Sequence, residues 1–275
     1  MHLLKAGGAE IPAIGLGSFG LKDGLCSSIV TRAIEIGYRH VDTAAMYYNE
    51  AAIGDGIRAA SVPRDSIFLT TKVWPTEIGA SAMTQSTQAS LKRLGLDYVD
   101  LLLIHWPNPD IDLAESIGAL NRMRQHGLTR HIGVSNFTRP LLKQARALSE
   151  APLICNQIEY HPQLDQSRML EHLRADDMAF VSYCPLGRGE TMKSAAVRLA
   201  AEAHGRTPAQ IILRWHVQQP GVAAIPRTSN PARLEENFDI FDFELSQDEM
   251  AAISTMRSAG RRICDFEFSP AWDQD

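Results

Sequence analysis

Four polar residues stand at or shortly beyond the ends of apolar runs, and their types suit proton transfer. Asp42 closes the run Arg39–Asp42, Lys72 closes Ile67–Lys72, and His105 closes Tyr98–His105. Tyr47 follows Asp42 by five residues. A free tyrosine has a pKa of about 10, too high for an efficient acid at neutral pH. A neighbouring ammonium favours the phenolate and lowers that value, which is a role for Lys72. Asp42 would hold Lys72 in place and keep it charged. His105 would hydrogen-bond a substrate carbonyl and orient it. Tyr47 would then protonate the carbonyl oxygen as hydride reaches the carbon. Each residue alone has a plainer reading: a buried Asp–Lys pair is usually architecture, and a histidine before Trp-Pro is usually core. Together, at three successive strand ends, they point to chemistry. Tyr48 is an equal rival to Tyr47 on spacing alone.

Such a set needs strands that deliver it to one place. Strand candidates are Ala13–Gly17, Arg39–Asp42, Ile67–Lys72, Tyr98–His105, His131–Ser135, Leu153–Glu159, Ala179–Tyr183 and Val222–Pro226. They are continuous apolar runs such as Leu101–Ile104, as in parallel strands buried on both faces. Helical spacing lies between them. Leu113, Ile117, Leu120 and Met123 precede Gly127, and Met83, Thr87, Leu91 and Leu94 precede Gly95. Thr207-Pro-Ala-Gln210 and Ser246-Gln-Asp-Glu249 are capping boxes. Eight strands alternating with helices over about 250 residues predict an α/β fold, a (β/α)8 TIM barrel, with a doubly wound sheet as competitor. No linker divides the chain, so residues 1–275 are expected to form one domain. His2–Ile11, with Gly7-Gly8 at its centre, predicts an N-terminal β-hairpin at the barrel bottom, and a short C-terminal tail ends the chain. Catalytic groups of such barrels stand beyond the C-terminal strand ends, which brings Asp42, Tyr47, Lys72 and His105 to one mouth.

Gly15-Leu-Gly17-Ser-Phe-Gly20 matches a dinucleotide-binding fingerprint, and Asp42 follows at the right distance. In that motif the helix starts within the glycines. Here Lys22-Asp-Gly24 intervenes, and the helical pattern starts near Leu25. The segment reads better as a turn after the first barrel strand, with backbone close to a ligand.

Composition narrows the partners. The net charge is -5, and no stretch is rich in Lys or Arg, which argues against nucleic acid and anionic membranes. No apolar run approaches membrane-spanning length, and a cytoplasmic protein is expected. Cys26, Cys155, Cys184 and Cys264 have no metal-ligand spacing; they read as free thiols in a reducing compartment, and no metal is expected.

At these residues the sequence resembles the aldo-keto reductase family. The motifs are Gly37-Tyr-Arg-His-Val-Asp42-Thr-Ala, Tyr47-x-Asn-Glu50-x-x-x-Gly54, Lys72-Val-Trp74, Leu94-Gly-Leu-Asp97-Tyr-Val-Asp100, His105-Trp-Pro107, Gly133-Val-Ser-Asn-Phe137 and Asn156-Gln157. They run in order from about Ile11 to Asp242. The resemblance implies Tyr47, rather than Tyr48, as the acid, and NADPH as the cofactor. It implies cofactor contacts at Gly17, Ser18, Ser135, Asn136, Gln157, Tyr183, Pro185 and Leu186, with Tyr183 stacking on the nicotinamide. Arg227, Thr228, Ser229 and Arg233 would hold the 2′-phosphate, and Glu236 and Asn237 the adenine. Relatives usually carry Lys where Arg227 stands. Phe19, Tyr48, Trp74, Trp106 and Trp272 would wall the substrate pocket. Within the family the sequence looks most like bacterial 2,5-diketo-D-gluconate reductases, which implies a monomer reducing small dicarbonyls, keto-sugar acids, methylglyoxal and aldehydes. Two rivals remain: a Schiff-base lyase of the aldolase type using Lys72, and a non-catalytic NADPH-binding regulatory subunit.

Overall fold

The computed structural model describes residues 2–273. Strands β1 (Leu3–Ala6) and β2 (Ala9–Pro12) pair antiparallel, Leu3 opposite Pro12. Gly7 and Gly8 turn the chain between them at φ 54° and 81°, backbone that a Cβ disfavours. The Gly7 N–H donates to Asp177 Oδ2 at 3.0 Å, and Ile154 and Pro152 lie against Gly7. Those residues sit where two barrel strands begin, so the hairpin covers the bottom, as its sequence predicts.

Eight strands run parallel in chain order: β3 (Leu16–Gly17), β4 (His40–Asp42), β5 (Phe68–Val73), β6 (Val99–Ile104), β7 (Thr129–Ser135), β8 (Leu153–Glu159), β9 (Ala179–Tyr183) and β10 (Val222–Ala224). Every residue of β5, β6 and β8 is buried, polar ones such as Lys72, Asp100 and Gln157 included, which explains why they show no apolar–polar alternation. The last strand returns to the first. The Gly15 N–H donates to Ala224 O at 2.9 Å, and the Ala224 N–H to Ala13 O at 2.8 Å. That closes the barrel and rules out the doubly wound sheet, which is open.

Closure also corrects two sequence expectations. The first strand shrinks from Ala13–Gly17 to Leu16–Gly17, with one bridge at Ile14. A Cβ on Gly17 would lie 2.7 Å from Ile225 O, so the glycine is needed where first and last strands meet. The helix after it, α1 (Asp23–Ile36), starts two residues earlier than Leu25. Gly20 still lies outside it, so no glycine of the motif opens the helix.

The barrel is wrapped by α2 (Glu50–Ala59), α3 (Ala80–Leu94), α4 (Leu113–Gln125), α5 (Arg139–Leu148), α6 (Ser167–Ala175), α7 (Ala195–His204), α8 (Pro208–Val217), α9 (Pro231–Phe238) and α10 (Gln247–Ser254). Both predicted capping boxes form: Thr207 with Gln210 opens α8, and Ser246 with Glu249 opens α10. After α10 the tail crosses back toward β8. The Ile263 and Cys264 N–H groups donate to the buried Glu159 carboxylate at 2.7 and 2.6 Å. Among the described residues no helix is long and apolar enough to cross a membrane, and no cluster of three or more His, Cys, Asp or Glu can hold a metal.

Candidate active site

Strands β4, β5 and β6 bring Asp42, Lys72 and His105 to one end of the barrel. Lys72 is fully buried, and its Nζ donates to Asp42 Oδ1 at 2.5 Å and to the Thr43 carbonyl at 2.8 Å. The same Nζ lies 3.5 Å from the Tyr47 hydroxyl. Thr43, unmarked in the sequence, thus completes the lysine's shell through its backbone. Tyr47 ends a single 3-10 turn, Ala45–Tyr47. Asn49 pins that loop: it accepts from the Thr43 hydroxyl at 2.8 Å and donates to the Ser18 and Leu21 carbonyls at 2.9 and 3.1 Å. The Tyr47 ring meets Phe19 and His105 edge-on, with centroids 5.1 and 5.7 Å away.

The electrostatics differ from the sequence expectation. Burial pushes the Lys72 ammonium down, and Asp42 pulls it partly back. Tyr47 is held well above its ordinary value, first by burial and then by the Asp42 charge. The ammonium therefore does not lower the phenol here; Asp42 neutralises it at short range, and 3.5 Å is a weak contact. Burial, with the Lys72 charge behind it, holds His105 well below the usual histidine range, so its imidazole is neutral. His105 Nδ1 is buried with no hydrogen-bond partner among the described residues.

A second group abuts the first. Gln157, on β8, donates to Asp42 Oδ2 at 2.7 Å. Ser135, at the end of β7, donates to Gln157 O at 2.7 Å. Asn136 donates to His105 O at 2.9 Å and accepts from the Tyr183 hydroxyl at 2.7 Å. Asp42, Lys72, Tyr47, Gln157, Ser135, Asn136, His105 and Tyr183 are thus one connected network. Ser18 is buried, its N–H donating to Asp42 O at 3.1 Å, but its hydroxyl has no partner among the described residues. Pro185 and Leu186 follow Tyr183; the Pro185 carbonyl contacts His216 Nε2 at 3.1 Å, and the Leu186 carbonyl accepts from Thr191 at 2.7 Å.

The segment after β10 is built differently. Arg227 is exposed and reaches over to the β3 loop, donating to Phe19 O at 3.1 Å. The Thr228 hydroxyl is buried in a local turn, accepting from the Asn230 N–H at 3.0 Å. Ser229 and Arg233 are exposed at the start of α9. Glu236 accepts from the Thr207 hydroxyl at 2.6 Å, and Asn237 is buried.

The aromatic wall is partly as expected. Phe19 is 60 % exposed at the rim, and Trp74 packs edge-on to His105 at 5.4 Å. Tyr48 departs from the expectation. Its left-handed backbone (φ 55°) ends the 3-10 turn, it is 88 % exposed, and the ring cluster forms without it. Trp106 is only 4 % exposed because the tail covers it. Phe266, Phe268 and Trp272 lie 5.8, 5.3 and 6.0 Å from its ring, and Phe268 also meets Trp74 at 5.6 Å. Phe266 and Phe268 escaped the sequence reading, because two phenylalanines in an irregular tail carry no periodicity.

Comparison with known proteins agrees with this fold. Residues 13–257 match the model of the aldo/keto reductase family. Methylglyoxal reductase DkgB of Salmonella typhi is 39 % identical over 266 residues, covering 96 % of this chain and 99 % of the relative. The crystal structure of a protein provisionally named 2,5-diketo-D-gluconic acid reductase B superposes with a TM-score of 0.97 at 43 % identity, covering 100 % of this chain and 98 % of that one. A Bombyx mori aldo-keto reductase solved in complex with NADP superposes with a TM-score of 0.89 at 34 % identity, covering 96 % and 95 %.

Proposed function

The chain belongs to the aldo/keto reductase family, oxidoreductases that act on carbonyl groups, and from that premise we propose that it reduces small aldehydes, ketones and dicarbonyls with NADPH. Methylglyoxal and keto-sugar acids such as 2,5-diketo-D-gluconate head the substrate set, because similar proteins bear those names. Every residue of the proposed site belongs to one chain, so a monomer suffices for the reaction.

The residues present fit the cofactor. The buried Ser18 hydroxyl lacks a partner among the described residues, and the Tyr183 hydroxyl donates to the side-chain amide of Asn136. Ser135, Asn136 and Gln157 would hold the carboxamide, and Tyr183 would offer a flat face at no polar cost. Gly17, Ser18, Pro185 and Leu186 would flank the chain of phosphates. Arg227, Thr228, Ser229 and Arg233 would take the 2′-phosphate, for which guanidinium groups are suited; Glu236 and Asn237 would face the adenine. The bound nicotinamide supplies the hydride.

The chain's own residues would manage the proton. Neutral His105 orients the carbonyl oxygen by a hydrogen bond. Tyr47 keeps its proton across the physiological range, because burial raises its pKa. As negative charge grows on the substrate oxygen, Tyr47 gives up its proton. Lys72 then becomes worth most, since it faces the phenolate left behind in a site of low dielectric. Asp42 fixes the lysine in that position. The observation that carries the proposal is the single Lys72 Nζ, shared by Asp42, Thr43 and the Tyr47 hydroxyl.

Tyr47→Phe tests it. Carbonyl reduction should fall by about 10²–10⁴-fold, the usual worth of a general acid. NADPH binding, followed by quenching of protein fluorescence, should hold. Near-normal turnover in the variant would remove Tyr47 from the role. The lyase reading predicts a covalent adduct on Lys72 under borohydride with substrate. Asp42 opposes that adduct by keeping the amine protonated. A regulatory subunit would fail to oxidise NADPH over a broad carbonyl panel.

A further inference from the structure

Of the four cysteines, Cys26 and Cys155 are buried, whereas Cys184 and Cys264 are both partly exposed. The last two are far apart in sequence, but the fold joins them. Cys184 is the first residue after β9 and sits in the left-handed region at φ 50°, which non-glycine residues seldom occupy. Cys264 lies in the tail, where its N–H is held by Glu159 Oε2 at 2.6 Å and its neighbour Ile263 by Oε1 at 2.7 Å. Glu159 is the register partner of Tyr183 across β8 and β9. The clamp therefore sets Cys264 next to Cys184. The Cys264 thiol and the Arg188 side chain, on the same loop, are the close polar neighbours of the Cys184 thiol.

We propose that Cys184 and Cys264 form a reversible disulfide that staples the C-terminal tail to the barrel beside Tyr183, with hydroperoxides as the oxidant. The two thiols are already unequal. The neighbouring Cys264 thiol, with Arg188 beside it, holds Cys184 below the ordinary cysteine range, whereas the Cys264 thiol is pushed up. Cys184 is thus the attacking thiolate. Its sulfur takes the outer oxygen of the peroxide; the S–O bond forms, the O–O bond breaks, and the leaving hydroxide collects a proton. Sulfur is oxidised to the sulfenic acid, and the peroxide oxygen is reduced. The Cys264 sulfur then attacks the sulfenic sulfur, the S–S bond forms, and the oxygen departs as water with the Cys264 proton. Two thiols and one hydrogen peroxide give one disulfide and two waters. A dithiol reverses the change by exchange.

The staple would act on the substrate wall. The stretch just beyond Cys264 carries Phe266, Phe268 and Trp272, which cover Trp106. Fixing Cys264 to the barrel shortens the free length of that cover.

The test needs no enzyme assay, so it stands or falls apart from the proposed activity. The full-length protein is treated with stoichiometric hydrogen peroxide, denatured, and titrated for free thiols. The count should fall from four to two and return to four after dithiothreitol. Non-reducing peptide mapping should find Cys184 joined to Cys264. Cys264→Ser should instead trap a dimedone-reactive sulfenic acid at Cys184, and Cys184→Ser should keep its three remaining thiols after peroxide. Circular dichroism checks that both variants fold. Four free thiols after peroxide, oxidation of Cys184 without a cross-link in the unaltered protein, or a cross-link through Cys26 or Cys155 would each overturn the proposal.

Discussion

The two arms of the mouth are held in opposite ways. Around Asp42 and Lys72 almost every polar atom already has a protein partner, and the chain from Tyr47 to Tyr183 is continuous. Around Arg227 and Arg233 the cations face solvent, and the contacts that exist are local or reach only to a neighbouring loop. A buried network spends its reorganisation during folding, which suits groups that must meet a short-lived charge. An open cationic segment orders around its ligand and suits a group that binds and leaves. Burial is what separates them: inside, removing one partner strands another, whereas outside water replaces what is lost.

The sharpest break of this comparison is Lys72→Met. Asp42 would remain buried without its cation, and the fold should lose about 3–5 kcal/mol in urea denaturation. Activity should vanish with it. Adding Asp42→Asn should restore a large part of the stability and none of the activity. A single variant as stable as the parent would show that the pair is not a buried dependency.

The open arm should respond without any loss of fold. Arg227→Ala with Arg233→Ala should weaken NADPH by roughly 10–100-fold, from charge-assisted bonds of about 1.5–3 kcal/mol reduced by solvent exposure. NADH should be nearly unaffected in the same titration. Equal loss of both cofactors would place the arginines elsewhere than on the 2′-phosphate.

The tail lies between these extremes. Phe268→Ala removes on the order of 1 kcal/mol of apolar contact, so the KM for an aromatic aldehyde should rise about five-fold with kcat little changed. A fall in kcat instead would mean that the tail positions His105 through Trp74.

The smallest effect is in pH. Burial raises Tyr47 and lowers His105, so both keep their protonation state from pH 6 to 8. The kcat for reduction should be flat there. A phosphate monoester loses its second charge below a pKa of about 6, so NADPH affinity should weaken as pH falls past that value. A bell-shaped kcat within the window would show that one of the buried groups titrates.

Much of the barrel was legible in the chain. Strands β8 and β9 match their predicted bounds residue for residue, and nearly every residue in them is buried. The first strand was overread, since barrel closure needs one bridge at Ile14 and not a full ladder. Asp42, Lys72 and His105 were found because strand ends converge by topology. Tyr47 and Tyr48 could not be separated by spacing, because the 3-10 turn ends between them and sends one side chain in and the other out. The direction of the Tyr47 shift was misjudged because burial, invisible in sequence, outweighs a neutralised ammonium. The tail was illegible for another reason: Glu159 and Cys264 meet across most of the second half of the barrel, with no repeat or motif to announce it.

Glu159 grips the tail by backbone N–H groups and not by side chains. Any residue except proline supplies the same handle at those two positions. The aromatic residues beyond the grip can therefore be exchanged without loosening it. The proposed substrate wall would then be an interchangeable part on a fixed mount, and new carbonyl preferences could be reached by rewriting the residues beyond Cys264 while the proposed proton-handling core stays as it is.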